Sequence, residues 1–331
     1  MNNSRSPYRV GIVGAGNISR MHIDGMSRHA DRMKVVALCD LDTKMAQKRA
    51  ADYGIEHTYN DLEEMIGQAN LDVAVVCTPT HVRKQVVIPL INANIPIFCE
   101  KPFAETYAEA KDIETAVRDS GSAFALNQNL RRTFSFSVAR KIIEAGSLGR
   151  PLHLMHTVAV LRRDKGWRLE RKRYVMSVMS IHWFDGYRYL LQDEPDEVYC
   201  RSINSPATAG GDDTAVSLIL HFRKGTVVTL SESFSSLTKP QNCSLDCESG
   251  GLELGYQSVV EFGPEGQTAE HQNPFTKPEA TYWLLNDLME GVENAREPET
   301  SAADNLKSIR ILEAAYRSIE ENRAVRIEEV Q

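Results

Sequence analysis

The sequence has few cysteines and no long apolar run. Its six cysteines, at positions 39, 77, 99, 200, 243 and 247, lack the paired spacing and the neighbouring histidines of a zinc site. No stretch approaches the roughly twenty apolar residues that a membrane helix needs, and the first residues lack the apolar segment of a signal peptide. These absences predict a cytoplasmic protein with no metal site and no membrane contact.

Positive charge is also in short supply. Across 331 residues, 38 lysines and arginines stand against 45 aspartates and glutamates, so the formal net charge is -7 and the pI is near 5.8. A general nucleic-acid-binding surface needs a positive field, which this balance does not provide. The length accommodates two domains with full cores, and the composition is that of an ordinary globular protein.

A glycine turn near the start of the chain lies between a strand-like and a helix-like segment. The run Val10 to Val13 leads into Gly14-Ala15-Gly16-Asn17-Ile18-Ser19, and a helix-compatible stretch continues to Arg28. Gly14 permits a tight turn, Gly16 lets the backbone approach a pyrophosphate, and the helix N-terminus offers N–H groups to that anion. Ser19 replaces the third glycine of the usual fingerprint and is small enough for close packing. The predicted cofactor contacts of this turn are Gly14, Gly16, Asn17 and Ile18.

Asp40 follows a second strand-like run, Lys34 to Cys39. About twenty residues after such a turn, a carboxylate binds the hydroxyls of an adenosine ribose. A 2′-phosphate would meet Asp40 as a like charge, and the neighbours Leu41 and Asp42 offer no arginine to hold it, so NAD is favoured over NADP. The competing interpretation is that Asp40 only caps a helix that begins at Thr43.

Strand-like runs alternate with helix-like segments in the first part of the chain, which predicts an α/β fold with a doubly wound parallel sheet of the Rossmann type. These runs are Val10 to Val13, Val35 to Cys39, Val73 to Cys77, Ile95 to Cys99 and Ala123 to Leu126. In such a sheet the ligand crevice lies beyond the carboxyl ends of the strands. Further predicted cofactor contacts at those ends are Thr78, Pro79, His81, Glu100 and Lys101.

These positions have simpler interpretations as well. Pro79 and His81 are also typical of the start of a helix, and Lys101 could be a solvated lysine before a proline turn. Cys99 has no visible partner base, so we predict a buried, reduced thiol there and not a nucleophile.

After about residue 127 the pattern changes to α+β. Helix-like segments at 135–145, 175–191, 282–294 and 303–323 accompany long alternating runs at 152–161, 198–203, 214–222, 226–234, 243–248 and 251–256. The alternation predicts a mostly antiparallel sheet that covers helices with one face and leaves the other open for a partner sheet. We therefore divide the chain into a dinucleotide-binding domain, 1–126, and a substrate-binding and oligomerisation domain, 127–331.

A basic stretch at 162–173 stands out against the acidic whole and suggests an anionic substrate. Arg168 could bind a carboxylate or phosphate through two parallel hydrogen bonds, and Trp167 could lie against a sugar ring. Arg131 is a further candidate on the substrate or nicotinamide side. The competing interpretation of the stretch is a solvated loop or a subunit contact that pairs with Asp164 and Glu170.

The motifs together resemble the Gfo/Idh/MocA oxidoreductase family over nearly the whole chain. The resemblance rests on the glycine turn, Thr78-Pro79-Thr80-His81, Glu100-Lys101-Pro102, and Ile181-His182-Trp183-Phe184-Asp185. It implies that Lys101 lies by the nicotinamide and that His182 of the second domain faces it across the substrate. It also implies a cis bond before Pro102, and a homodimer or homotetramer joined through the open face of the C-terminal sheet.

One position departs from the family pattern. Members usually carry an aspartate four residues before the histidine, and here that residue is Val178. Without the carboxylate, His182 loses a charge partner that would orient its ring and favour its protonated form. Asp185 lies three residues after His182 on the same helix face and could hydrogen-bond the ring instead.

These features predict an NAD-dependent oxidoreductase that acts on a secondary alcohol of a sugar, sugar acid or cyclitol. Such chemistry needs an acid–base group and a group that orients the substrate oxygen. We assign the first role to His182 and the second to Lys101, and the exchange of these roles stays open. Asp185 and Arg131 join the predicted substrate contacts. Two alternatives are an NAD-retaining redox glycosidase and a non-catalytic NAD- or sugar-sensing regulator.

Overall fold

The computed structural model describes residues 6–164, 172–205, 213–275 and 279–331. The chain folds into two compact units, Met1–Asn129 with Pro278–Leu306, and Leu130–Lys277 with Lys307–Gln331. The first unit ends close to the boundary predicted from the sequence. It also contains Pro278–Leu306, which the sequence interpretation assigned to the second domain. Trp167 and Arg168, two predicted substrate contacts, lie outside the described residues.

The first unit contains the predicted parallel sheet. Its strands are β1 (Tyr8–Val13), β2 (Met33–Cys39), β3 (His57–Tyr59), β4 (Val73–Val76), β5 (Ile97–Cys99) and β6 (Phe124–Leu126), in the spatial order β3-β2-β1-β4-β5-β6. Its helices are α1 (Asn17–Ser27), α2 (Thr43–Tyr53), α3 (Leu62–Gln68), α4 (Arg83–Asn92), α5 (Tyr107–Ser120) and, from the distant segment, α8 (Ala280–Asn294). All five pairings in this sheet are parallel, as the alternating pattern predicts.

The core of this unit explains why the central strands are apolar runs in the sequence. All four residues of β4 are buried, because helices cover both faces of a parallel sheet. Ile23 and Met26 of α1 belong to the same buried cluster as Leu284 and Leu288 of α8. Each fully buried side chain of this kind contributes about 1.5–3 kcal/mol. Strand β6 further joins the distant segment through a bridge between Ala125 and Ser301, so Pro278–Leu306 completes the core of the first unit.

The second unit is built on a nine-stranded sheet within the described residues. Its strands are β7 (Pro151–Ala159), β8 (Pro195–Ile203), β9 (Ala215–Phe222), β10 (Val227–Ser233), β11 (Gln241–Cys247), β12 (Gly251–Leu254), β13 (Ser258–Gly263), β14 (Gly266–Gln272) and β15 (Val325–Arg326). The order is β14-β13-β12-β11-β7-β10-β9-β8-β15. The pair β7–β10 is parallel and the other pairs are antiparallel, as predicted.

The two faces of this sheet differ as the alternating sequence predicts. In β9 the residues Val216, Leu218, Leu220 and Phe222 are buried, whereas Ile219 between them is nearly half exposed. The helices that begin in this part of the chain are α6 (Phe134–Ala145) and α7 (Ile181–Leu191), and α9 (Ala302–Glu321) begins in the first unit and continues into the second. In the described part of the chain, no helix is both long and apolar enough to cross a bilayer.

Candidate active site

Gly14 lies where the turn after β1 meets the end of β4. Its φ of +103° lies in a region that residues with a Cβ rarely adopt, and a Cβ here would lie 2.9 Å from the carbonyl carbon of Cys77. The backbone N–H of Cys77 also donates a hydrogen bond to the carbonyl of Val13. Gly14 therefore permits the tight turn that the sequence predicts, and it also permits the close approach of two neighbouring strand ends.

Gly16 is the N-cap residue of α1 and has open space beside it. A Cβ built on Gly16 would meet no atom within 4 Å, and among the described residues no side chain caps the first turn of α1. Ser19, in the place of the third glycine, is buried and donates from Oγ to the Gly16 carbonyl at 2.7 Å. The first N–H groups of α1, those of Asn17 and Ile18, therefore border an open cradle beside Gly16. An anion fits this cradle, because N–H groups at the start of a helix attract negative charge.

Asp40 sits at the carboxyl end of β2 and contacts the glycine turn. Its Oδ2 accepts the backbone N–H of Ala15 at 2.7 Å, and its Oδ1 accepts that of Asp42 at 2.9 Å. The cap of α2 is instead Asp42, which accepts the N–H groups of Lys44 and Met45. The competing interpretation of Asp40 as a helix cap is therefore wrong, and each oxygen of Asp40 keeps a lone pair for a ribose hydroxyl.

Arg49 of α2 reaches the same turn, a contact that the sequence interpretation missed. Its guanidinium donates to the carbonyls of Ala15 and Gly16 at 3.2 to 3.4 Å, and the side chain is buried. A signal was present, because Arg49 falls between Ala46 and Ala50 on the buried face of α2, where an amphipathic helix normally carries apolar residues.

Glu100 follows β5 and is buried in a polar cluster. Its Oε1 accepts hydrogen bonds from His22 Nε2 at 2.8 Å and from Asn127 Nδ2 at 2.7 Å. Burial alone would raise the pKa of this carboxyl, but the hydrogen bonds and the nearby charges of His22 and Lys101 hold it at about 2. Glu100 is therefore a buried anion directly before Lys101 in the chain. The sequence interpretation did not identify His22 or Asn127.

Lys101 lies directly beyond the end of β5, and the Lys101–Pro102 bond is cis, as the family resemblance implies. Two buried polar atoms, Thr78 Oγ1 after β4 and Asn127 Oδ1 after β6, lie beyond the strands on either side of β5 and have no hydrogen-bond partner among the described residues. Buried polar atoms are normally paired, so this edge fits a ligand with its own donors and acceptors. Burial raises the pKa of Cys99 to about 12, which rules out a thiolate nucleophile there.

The segment after β4 forms the start of a helix. Pro79 precedes a 3-10 turn, Thr80–Val82, that contains His81 and leads into α4. Arg83 donates to the carbonyls of Thr78, at 3.0 Å, and of Pro102. The helix-start interpretation of Pro79 and His81 is thus correct, and their contact with a cofactor stays a prediction.

In the second unit, His182 is the second residue of α7. A π-helical turn, Met176–Ser180, precedes α7 and has Val178 at its centre. Asp213 anchors the start of this turn by accepting the N–H groups of Tyr174 at 2.6 Å and of Met176 at 3.1 Å. Burial raises the pKa of Asp213 to about 6, against the lowering effect of these hydrogen bonds.

A buried carboxylate from β10 holds the residues on either side of His182. Glu232 accepts hydrogen bonds from Ser180 Oγ and from Trp183 Nε1, the latter at 3.2 Å. Because Ser180 and Trp183 flank His182 in the sequence, this contact restrains the rotation of the helix that carries it. Sequence reasoning missed Glu232, since it lies in an alternating strand with no motif around it.

Asp185, the proposed substitute partner of His182, is engaged elsewhere. Arg131 Nε and Nη2 donate to its two oxygens at 2.7 and 2.6 Å, and Ser308 Oγ donates at 3.3 Å. Asp185 and Arg131 are both buried. The hydrogen bonds of Asp185 therefore go to Arg131 and Ser308, not to the His182 ring, and the substrate roles of Asp185 and Arg131 stay predictions.

The described residues contain no cluster of three or more His, Cys, Asp or Glu side chains that could hold a metal ion. All six cysteines are free and buried.

Two family models match the sequence. The first, described as an oxidoreductase family with an NAD-binding Rossmann fold, covers residues 8–128. The second, the GFO/IDH/MocA C-terminal domain, covers residues 136–253. The N-terminal unit is thus an NAD-binding Rossmann domain.

Several relatives that match over their full length carry the names of sugar or cyclitol enzymes. A 1,5-anhydro-D-fructose reductase of Ensifer adhaerens is 24% identical over 97% of this chain and 98% of its own length. An inositol 2-dehydrogenase of Rhizobium meliloti is 26% identical over 96% and 99%. A crystal structure of an Agrobacterium radiobacter oxidoreductase in complex with NAD+, L-tartaric acid and magnesium superposes with a TM-score of 0.89 at 20% identity, over 98% of this chain and 100% of that one. At that identity the structural likeness shows the fold alone.

Proposed function

We propose that this chain, which belongs to the GFO/IDH/MocA oxidoreductase family, transfers a hydride between a secondary alcohol of a sugar, sugar acid or cyclitol and the nicotinamide of NAD. Family membership rests on the two matched models. The substrate class rests on the names of full-length relatives, which include a sugar reductase and an inositol dehydrogenase.

The observation that carries this proposal is the arrangement of polar groups at one edge of the parallel sheet. The open cradle at Gly16, the carboxylate of Asp40, the orphaned Thr78 Oγ1 and the Glu100–Lys101 pair all follow the ends of neighbouring strands. Ligands of such sheets bind beyond these ends. The set matches, in order, a pyrophosphate, a ribose and a reacting nicotinamide.

The roles of the protein groups follow from their chemistry. Bound NAD supplies the ring carbon that accepts the hydride. Lys101, which directly follows the buried Glu100 anion in the chain, donates a hydrogen bond to the substrate oxygen and orients it. His182 accepts the hydroxyl proton, because a neutral imidazole ring has a nitrogen lone pair that can act as a general base. Glu232 accepts hydrogen bonds from Ser180 and Trp183 and so supports the helix that carries His182. This support matters here because Val178 replaces the usual aspartate.

Cofactor preference, location and assembly complete the proposal. Asp40 disfavours a 2′-phosphate by charge, so we expect NAD to be used over NADP. Six free, buried cysteines are in keeping with the reducing cytoplasm. The exposed face of the second sheet carries Met155, Tyr199 and Ile219, and we propose that a second copy of the chain covers it.

A spectrophotometric screen tests the function directly. Purified protein is mixed with NAD or NADP and with apiose and other pentoses, glucuronate, inositol and sugar acids, and absorbance at the NADH band is followed. We expect NADH to form from NAD with at least one of these compounds, and NADPH to form more slowly from NADP. Turnover of a glycoside without net NADH would favour the redox glycosidase, and tight NAD binding with no turnover in either direction would favour the sensing regulator.

A further inference from the structure

We infer that Arg49 is the cation of the glycine turn in the dinucleotide site, and that its charge, held against the carbonyls of Ala15 and Gly16, offsets the charge of the bound pyrophosphate. This inference rests on the proposed NAD site and deepens it. Arg49 would be a positioning and charge-balancing residue, since its hydrogen bonds go to the turn.

The hydrogen bonds of Arg49 place its charge at the glycine turn. Nε and Nη2 lie 3.4 and 3.2 Å from the Ala15 carbonyl oxygen, and Nη2 lies 3.4 Å from that of Gly16. These two residues border the open cradle, since Gly16 is the N-cap residue of α1 and Ala15, directly before it, donates its N–H to Asp40. One guanidinium therefore holds the carbonyl oxygens of a turn that leads directly into the first N–H groups of α1.

The charge of Arg49 has no counter-ion among the residues that the structure describes. The residue is only 9% exposed, and in the described part of the chain no Asp or Glu oxygen comes within 4 Å of its guanidinium, although most of the other arginines described have such a partner. A buried charge without a partner costs several kcal/mol. A bound pyrophosphate beside the open Gly16 position would supply the missing negative charge.

Arg49 also removes an electrostatic obstacle. The carbonyl oxygens of Ala15 and Gly16 carry partial negative charge close to the place where two phosphates would bind, and the guanidinium neutralises them. In a partly buried site, charge–charge effects over a few ångströms are much larger than in water. We therefore expect Arg49 to contribute to phosphate affinity more than to the stability of the free protein.

The test compares phosphate-bearing and phosphate-free ligands in full-length protein. Dissociation constants for NAD+, ADP-ribose and adenosine are measured by calorimetry or ligand-observed NMR in wild type, Arg49→Met, Arg49→Lys and Lys48→Met. Lys48 is the exposed neighbour of Arg49 on α2, so Lys48→Met removes the same charge without touching the turn. Free-protein melting temperatures are recorded for all four.

Arg49→Met should weaken NAD+ and ADP-ribose about tenfold, which corresponds to about 1.4 kcal/mol. It should leave adenosine within about twofold and make ADP-ribose binding less sensitive to salt. Arg49→Lys should recover most of the loss, and Lys48→Met should match wild type. An equal loss for adenosine and ADP-ribose, or no loss for either, would overturn the inference. Failure of wild type to bind ADP-ribose would instead contradict the proposed function.

Discussion

At the scale of single residues, we expect Asp40 to decide which adenosine ribose the site accepts. Its two oxygens are already hydrogen-bonded to the backbone of Ala15 and Asp42, so truncation would disturb the turn as well as remove the charge. Asp40→Asn keeps the size and one acceptor oxygen. We expect it to weaken NAD about tenfold and to narrow the preference for NAD over NADP, because the repulsion of a 2′-phosphate is gone.

The measurement for Asp40 is kcat/KM with each cofactor at fixed substrate. Asp42→Asn is a suitable control, since Asp42 lies two residues from Asp40 and its carboxylate accepts the N–H groups of Lys44 and Met45 in α2. An NAD to NADP ratio that is the same in Asp40→Asn and wild type would contradict the ribose role.

Lys101 and His182 carry the second prediction at this scale. Lys101→Ala and His182→Ala should each lower kcat by at least about a hundredfold, since general acid–base groups contribute roughly 10²–10⁴. NAD affinity, measured by fluorescence titration, should change little. Lys111→Ala, which alters an exposed lysine on α5, should behave as wild type. Retention of wild-type kcat by either active-site variant would remove that residue from the mechanism.

The residues that the sequence identified and those that it missed differ in a physical way. Gly14, Asp40 and Lys101 lie at strand ends, where chain order alone predicts that they meet. Arg49, His22 and Asn127 reach the same edge from helix faces or a loop, and their roles depend on which way a side chain points. Only the structure reveals that direction, although a buried-face arginine such as Arg49 gives an indirect signal.

At the scale of elements, Glu100 ties together three parts of the first unit. Its carboxylate joins the end of β5 to His22 of α1 and to Asn127 beyond β6. Its pKa, about 2 in the fold, is below the ordinary 4.5. The stability that its charge contributes is therefore present above about pH 4.5 and is lost as the pH falls toward 2, with a total near 3 kcal/mol.

Urea denaturation at several pH values tests this. Glu100→Gln cannot ionise, so the stability advantage of wild type over this variant should shrink by roughly 1 kcal/mol between neutral pH and about pH 3.5. Glu63→Gln, at an exposed position of α3, should show a much smaller change. An advantage that stays constant over this range would mean that the Glu100 charge does not support the fold.

The elements themselves were predictable where burial was two-sided or strictly alternating. The apolar run of β4 and the alternation of β9 indicate their strands directly. Strand β3 was missed because three partly exposed residues at a sheet edge, His57–Tyr59, carry no apolar pattern. Strands β13 and β14 lie at the other sheet's edge, and β14 has no buried residue, so their pairing depends on backbone hydrogen bonds that composition does not encode.

At the scale of the whole molecule, the division into units follows the packing of segments that are distant in the sequence. Helix α8 begins beyond residue 278, yet Leu284 and Leu288 pack in the core with β1 and α1. When the hydrophobic pattern is interpreted in chain order, such a helix is assigned to the domain that precedes it in the sequence. Its apolar spacing identified it as a helix, but its sequence does not show which core it joins.

The open face of the second sheet leads to the last prediction. Tyr199, Ile219, Thr229 and Met155 are consecutive partners across β8, β9, β10 and β7, and the three apolar members are 36%, 47% and 38% exposed. A row of this kind on an exposed sheet face is typical of a protein–protein interface.

We therefore expect wild type to be a dimer or tetramer of the 37.1 kDa chain. Ile219→Lys should reduce it to monomers, because a buried unpaired ammonium is costly. Light scattering after gel filtration measures the mass, with Val292→Lys, at a similarly exposed position of α8, as the control. A monomeric wild type would contradict assembly, whereas an oligomer that survives Ile219→Lys would locate the interface on another surface.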